Sequence, residues 1–495
     1  MDFISTRNSR RVVSGAEAVV KGLSDEGGLF VPAFFPSVTK EELDRMLDMS
    51  YPERAAFIIG KYLPELGAEL NEYTEKAYSR FDGDPAPLVK LNDGLFVLEL
   101  WHGPTHAFKD IALTLLPYLL TGSKKKLGEK ERTLILVATS GDTGKAALEG
   151  FRDVEGTDII VFYPGDGVSK LQKLQMMTQS GKNVYVAAIK GNFDDAQTAV
   201  KKIFTDKSVA EKLEEAGYRL SSANSINFGR LVPQIAYYFS SYLDMVNAGE
   251  INKGDKVNFC VPSGNFGNIL AGYYAKRMGL PVGKLICASN KNNVLTDFIK
   301  GGTYSVKREF FKTASPSMDI LVSSNLERLV FELSGRDDKL TASRMDSLKK
   351  EGVYSVSDEE LKKLKEEFYA DWSDENEVFE NLSDYFDEYG YIADTHTSVA
   401  LAVCDNYVRE TGDENKTVVV STASPYKFVA DVLKALNETP AADELKAMRQ
   451  LEELTALPLP DSLAELPGLK KIYTDLIDKD AAENAVLTYV NGKKL

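Results

Sequence analysis

Repeatedly along this chain, an apolar run of strand length breaks into a short polar loop and then a segment of helical period. FVLEL (96–100) leads to Lys109 and the apolar stretch beyond it. TLILVA (133–138) leads through TSGDTG to KAALEGF, and DIIVFY (158–163) through PGDGVS to KLQKLQMM. VYVAAI (184–189) precedes FDDAQTAVKKIF, and VNFCVP (257–262) leads through SGNFGN to ILAGYYAKRMG. KLICAS (284–289) precedes NVLTDFIKG, and TVVVST (417–422) precedes ASPYKFVADVLKAL. Strands alternating with helices predict an α/β protein with mostly parallel sheets. Such sheets bind ligands outside the carboxyl ends of their strands, where strand order reverses. The chemistry is therefore to be sought in the short polar loops.

The rest of the composition narrows the function. The net charge is −15, which argues against general binding to nucleic acid or to anionic membranes. Three cysteines (Cys260, Cys287, Cys404) and three histidines (His102, His106, His396) lack the spacing of a disulfide framework or a zinc site. No uncharged apolar stretch reaches the roughly 18 residues of a membrane span, and MDFISTRNSRR has no signal-peptide core. A cytoplasmic protein without metal is expected. Residues 1–85 read as a helical N-terminal unit and 86–440 as an α/β catalytic region of two lobes, the smaller at about 125–225. The lysine-rich stretch 121–131 is a crossing between the lobes. Residues 335–390 read as exposed helices, and 441–495 as a proline-punctuated segment wrapping the body.

Three loops could hold an anion. SGNFGN (263–268) sits between a strand and a helix, where glycines let amides turn inward and the helix start adds positive charge. An ordinary βα turn would use the same residues. SGDTGKAA (140–147) fails as a Walker A loop, because Thr139 and Ala146 replace the first glycine and the hydroxyl residue. It still offers Ser140, Thr143 and helix-start amides, although an N-capping turn explains these equally. NSINFGR (224–230) brings the guanidinium fork of Arg230 to a helix start, where a surface ion pair is the ordinary alternative.

Lys109 is the odd cation. In LWHGPTHAFKDIALTLLPYLL (100–120) it follows a Gly-Pro-Thr turn and enters an apolar segment. A lysine snorkelling from a partly buried helix would look similar. A desolvated lysine instead has a lowered pKa and a free amine that can form a Schiff base. A lysine together with a phosphate cradle points to pyridoxal phosphate.

These motifs carry a resemblance. GLSDEGGLFVP (22–32), HGPTHAFKD, TSGDTGKAA, GNFDDAQ, SANSINFGR, PSGNFGN, SPSMDILVSSNLER and STASPYKF occur in this order over roughly residues 1–440, and the chain resembles the threonine synthases of the longer fungal and bacterial class. The resemblance implies the tryptophan-synthase-β-like fold (fold type II) of pyridoxal-phosphate enzymes, with two parallel-sheet lobes and a helical N-terminal domain. It makes Lys109 the Schiff-base lysine and gives the cofactor phosphate to Gly264, Asn265, Phe266 and Gly267. Thr422 would face the pyridine nitrogen. Ser140, Thr143, Ser225, Asn227 and Arg230 would bind substrate. Two positions depart: Ser424 replaces a histidine common in the family, and Asp142 stands where more distant relatives have asparagine.

The reaction implied is that of a lyase converting O-phospho-L-homoserine and water to L-threonine and phosphate, by γ-elimination and β-addition, as the last step of threonine biosynthesis. Its partner is that small substrate, with no nucleic acid or membrane, acting as monomer or homodimer. The rivals are a serine/threonine dehydratase, a phospho-lyase that makes no threonine, and a catalytically dead scaffold.

Overall fold

The computed structural model describes residues 1–492 apart from 140, 166, 167 and 169. Two sheets dominate. In the larger, the strands run Phe368–Trp372, Val282–Ser289, Val257–Pro262, Thr417–Ser421, Leu95–Glu99 and Leu88–Lys90 in spatial order. All neighbours are parallel except the edge pair Leu88–Lys90 with Leu95–Glu99. The central strands are buried along their whole length, which is why they appear in the sequence as unbroken apolar runs. The smaller sheet, ordered Leu476–Ile477, Val184–Ile189, Thr157–Pro164, Arg132–Ala138 and Tyr218–Ser221, is parallel throughout.

Each sheet has one reversal of order. From Val257–Pro262 the chain moves out through Val282–Ser289 to Phe368–Trp372, then returns to lay Thr417–Ser421 on the other side. In the smaller sheet it moves from Arg132–Ala138 out to Val184–Ile189 and returns to add Tyr218–Ser221 on the opposite flank. The loops SGNFGN and TASPYKF leave one reversal, and TSGDTG and SANSINFGR leave the other. Sequence spacing put these motifs far apart; topology collects them.

The helix Phe228–Asn247 ties the elements together. It packs against Tyr51–Tyr62, Lys109–Leu113 and Gly267–Arg277, and it is buried on nearly every face. Tyr237 and Tyr238 on this helix donate to Asn268 Oδ1 at 2.5 and 2.9 Å. Each buried aromatic of this kind stabilises by about 1.5–3 kcal/mol, and these two also fix the start of the helix that follows SGNFGN.

Two expectations need correction. Residues 1–85 are not helical alone, since Asp2–Ser5, Asn8–Ser14 and Phe30–Pro32 form an antiparallel sheet. The stretch 335–390 contains the strand Phe368–Trp372 as well as exposed helices. The lysine-rich stretch 121–131 does cross between the sheets: it lies largely on the helix Leu116–Leu127, which follows the large-sheet strand Leu95–Glu99 and precedes the first small-sheet strand, Arg132–Ala138. The C-terminal segment does more than wrap. Leu476–Ile477 extends the small sheet, and Ala482, Ala485, Val486 and Val490 complete the apolar core on its helical face. Among the described residues, no helix is long and apolar enough to cross a membrane.

Candidate functional site

Lys109 opens the short helix Lys109–Leu113. The turn before it is locked by Asp110, whose two oxygens accept from Thr105 N–H and Thr105 Oγ1 at 2.7 Å each. Gly103 is required there, because an added Cβ would lie 2.5 Å from Asp110 Cβ. His106 takes a left-handed backbone (φ 58°) and its ring meets Ser462 Oγ at 2.6 Å. The Phe108 amide donates to Thr422 O at 2.8 Å, and Ala107 and Ala423 form an antiparallel bridge. Lys109 is thereby held against the end of the strand Thr417–Ser421. Its Nζ lies 4.9 Å from the Phe108 ring centroid and makes no hydrogen bond among the described residues. Part of its side chain stays open to the cleft, yet dense surrounding protein desolvates the amine. That desolvation lowers its pKa; Arg230 and Lys427 push the same way, and Asp142 and Asp110 oppose them.

At the neighbouring strand end, Phe266 adopts a left-handed conformation (φ 62°) just before the helix Gly267–Arg277. The amides of Gly264, Asn265, Phe266 and Gly267 donate to no group among the described residues. Successive free amides at a helix start form an anion-binding nest. Its outer faces are braced. Ser323 Oγ donates to Gly264 O at 2.7 Å, and Asn325 N–H donates to Asn265 O at 3.1 Å. A Cβ on Gly264 would lie 3.1 Å from Ser317 O, so any side chain there would press on that backbone. Thr422 is buried, and its Oγ1 has no partner among the described residues.

Arg230 enters from the other reversal. It is 5% exposed, donates from Nη1 to Ala223 O at 2.6 Å, and leaves Nε buried without a partner. No carboxylate pairs with it among the described residues, and burial pushes its pKa down to about 10. A buried, unpaired guanidinium is costly, which is the expected signature of a site kept for an anion. Thr143 lies partly exposed near the start of the helix Asp142–Phe151, with no hydrogen bond among the described residues. Ser225 lies partly exposed, its hydroxyl 3.5 Å from Asn224 Oδ1. Ser140 falls outside the described residues.

Asn227 has a different use. Its Oδ1 caps the helix through Gly229 N–H at 2.8 Å, and its Nδ2 donates to Val19 O at 2.9 Å. Both ends of the amide are committed to architecture. Sequence reasoning could not separate this from a ligand role, because asparagine is both a common helix cap and a common ligand residue.

Motifs scattered along the sequence, from Thr6 and Arg7 to Glu327 and Arg328, converge beside this site. Glu327 accepts the fork of Arg7 at 2.8 and 2.7 Å and the hydroxyl of Thr6 at 2.6 Å. Arg328, fully buried, donates to Phe30 O at 3.0 Å, to Ile226 O at 2.6 Å and to Asn325 Oδ1. Asn325 in turn braces the nest at Asn265 and reaches Ser225 O at 3.3 Å. Two further residues of the site escaped the sequence reading. Lys427 forms a buried ion pair with Asp142 at 2.9 Å. His396 accepts from Ser317 N–H at 3.1 Å while its Nδ1 faces Asp394 Oδ1 at 2.9 Å, steadying the loop beside Gly264. The only sequence signal for either was membership of a quoted motif or of the three histidines.

The donor set fits pyridoxal phosphate: an amine freed by desolvation, an amide nest that needs no side-chain cation, and an unbonded neutral hydroxyl lie around one cleft. Outside the nest, Arg230 is a buried guanidinium with no carboxylate partner among the described residues.

Comparison with known proteins gives three family matches in chain order. Residues 2–78 match the threonine synthase N terminus, 81–423 the pyridoxal-phosphate dependent enzymes, and 397–486 the threonine synthase C-terminal family. Threonine synthase of Pseudomonas aeruginosa is 38% identical, across 94% of this chain and 97% of the relative. Human threonine synthase-like 1 is 40% identical across 88% of this chain, which spans 60% of that protein's length. Among solved structures, the PLP-bound threonine synthase of Brucella melitensis superimposes with a TM-score of 0.88 at 36% identity, over 100% of this chain and 99% of that one. The yeast threonine synthase also gives 0.88, at 34% identity and 98% coverage of both chains.

Proposed function

The chain belongs to the threonine synthase family of pyridoxal-phosphate-dependent enzymes, and from that premise we propose that it converts O-phospho-L-homoserine and water to L-threonine and phosphate. The observation that carries this reading is Arg230. A dehydratase of free serine or threonine needs one phosphate site, for its cofactor. Here the amide nest of Gly264–Gly267 can serve the cofactor, and a separate buried guanidinium remains with no anion of its own. A substrate that brings its own phosphate gives Arg230 its partner.

When bound, pyridoxal phosphate supplies an electron sink that lets a C–H bond beside the substrate amino group ionise. The chain's residues do the rest. Lys109 holds the cofactor at rest and, once displaced, its amine takes the proton from the substrate Cα and later returns it. It also removes the Cβ proton as phosphate leaves Cγ with its bonding electrons; Cγ then takes up a proton to become the methyl group, and water adds its hydroxyl at Cβ. Burial lowers the pKa of that amine and so favours its uncharged, proton-accepting form. Arg230, with Thr143, Ser225 and Ser140, orients the substrate phosphate. Thr422 would offer the bound ring's nitrogen a neutral hydroxyl rather than a carboxylate, which would not force the ring to stay protonated.

The test is to supply O-phospho-L-homoserine and assay phosphate, threonine and keto acids together. Equal phosphate and threonine support the reading. Phosphate with a keto acid and no threonine would make the protein a phospho-lyase, and no turnover with cofactor bound would leave it a binding protein.

A further inference from the structure

Lys427 is paired with Asp142, a carboxylate whose charge also acts on Lys109. Asp142 opens the helix Asp142–Phe151 at the small-sheet reversal, whereas Lys427 lies in the 3-10 turn Pro425–Phe428, five residues after Thr422 and just past the large-sheet strand Thr417–Ser421. Their side chains are 7% and 2% exposed, and Lys427 Nζ stands 2.9 Å from Asp142 Oδ1. The contact is a charge pair rather than an aligned hydrogen bond, and Lys427 Nζ has no hydrogen-bond partner among the described residues. Either charge buried alone would be strongly unfavourable. Ser424 shapes the turn that delivers Lys427, capping it through Tyr426 N–H at 3.4 Å and donating its own amide to His106 O at 3.0 Å.

The charges facing Lys109 are Asp142 from the small-sheet helix, Arg230 from the central helix, Lys427 from the 3-10 turn and Asp110 from its own helix. Those facing Asp142 include Lys427, Lys109 and His396. Asp142 therefore has two ammonium groups to choose between, and the structure pairs it with Lys427.

We propose that Lys427 is a positioning residue for the Lys109 amine: it claims Asp142 as its counter-ion across the junction of the two sheets and so leaves Lys109 without one. Remove the positive charge of Lys427, and Asp142 becomes free to hold Lys109 as an ammonium, which can neither carry the cofactor nor accept a proton. This rests on Lys109 being the cofactor-carrying lysine.

The test follows cofactor uptake by the full chain, stripped of cofactor, as the visible absorbance that appears on adding pyridoxal phosphate at a series of pH values. The midpoint of that profile reads the deprotonation of the amine, and a general folding defect lowers amplitude without moving it. An opposite charge at close range shifts such a midpoint by about 1–3 units, so Lys427→Met should raise it by about one unit or more. Asp142→Asn should lower it, the double variant should return near the wild-type value, and Lys427→Arg should stay there. An unmoved midpoint in Lys427→Met, or a double variant that fails to return, overturns the proposal. Should Lys427→Met not fold, Asp142→Asn decides: an unmoved midpoint overturns the proposal and a lowered one supports it. Borohydride reduction of the same samples separates the two layers. Label away from Lys109 contradicts the site itself, whereas label on Lys109 with unmoved midpoints contradicts only the role of Lys427.

Discussion

The amide of Phe108 donates to the carbonyl of Thr422 at 2.8 Å. This one bond sets the residue before the candidate anchoring lysine against the residue expected to meet the far end of the cofactor ring. Its consequence is rigidity, because Lys109 and Thr422 cannot drift apart without breaking a buried backbone hydrogen bond. Thr422→Asp should therefore leave the cofactor seated but change its electronics. The absorbance spectrum should shift, and side reactions that need a protonated ring should rise. A wild-type spectrum and product ratio would mean that Thr422 does not meet the ring.

Lys109→Ala should abolish turnover and covalent attachment while sparing the fold, since the backbone contacts of the turn do not use the side chain. Borohydride reduction of the wild-type protein followed by peptide mapping should find the cofactor on the peptide containing Lys109. Label on Lys427 or Lys145, the other lysines close to this cleft, would reassign the anchor.

Arg230→Ala removes a charge-assisted contact worth about 1.5–3 kcal/mol. By the transition-state relation, kcat/KM for phosphohomoserine should fall roughly ten- to a hundred-fold. Cofactor affinity should stay unchanged, because the proposal gives the cofactor phosphate to the amides of Gly264–Gly267 and not to Arg230. Arg230→Lys should recover little, since a single ammonium cannot reproduce the guanidinium fork. Loss of cofactor with normal substrate handling would exchange the two phosphate sites.

Acid stability has a worked sign. Burial pushes His106 down to about 3, so the folded state keeps it neutral while the unfolded state protonates below about 6.5. Stability is therefore lost as pH falls from 6.5 toward 3, at up to about 1.4 kcal/mol per unit. Burial alone would raise Asp142, but Lys427 and Lys109 hold it down to about 2, adding a further loss between about 4 and 2. Asp110, raised to about 6 by burial, opposes this by keeping its proton in the folded state between about 6 and 4. His106→Asn suits the left-handed backbone and should flatten the fall of Tm between pH 6.5 and 4 in calorimetry. An unchanged slope would place the acid sensitivity elsewhere.

Most of the two sheets was legible because strands buried on both faces leave unbroken apolar runs, as in Val184–Ile189 and Val257–Pro262. The N-terminal sheet was not legible. Asn8–Ser14 is polar and half-exposed, and only its pairing with Asp2–Ser5 makes it a strand. Phe368–Trp372 was hidden inside a charged, helix-period stretch and is fixed by Leu285–Ser289 on its flank. Within the site, Lys109 stood out because a lone cation entering an apolar run is conspicuous. Lys427 did not, since its meaning depends on Asp142, brought near only by the two reversals of strand order. Asn227 was read as a ligand because nothing in NSINFGR reveals that Val19 O waits for its amide.

The most direct measurement of the proposed activity is turnover of O-phospho-L-homoserine in water enriched in oxygen-18, with mass analysis of both products. Elimination at Cγ breaks the carbon–oxygen bond and sends phosphate out with its original oxygens, and water then adds at Cβ. The threonine hydroxyl should carry the heavy oxygen, and the phosphate released in equal amount should carry none. Heavy oxygen in the phosphate, with homoserine as the other product, would reveal simple phosphate-ester hydrolysis and contradict a threonine synthase.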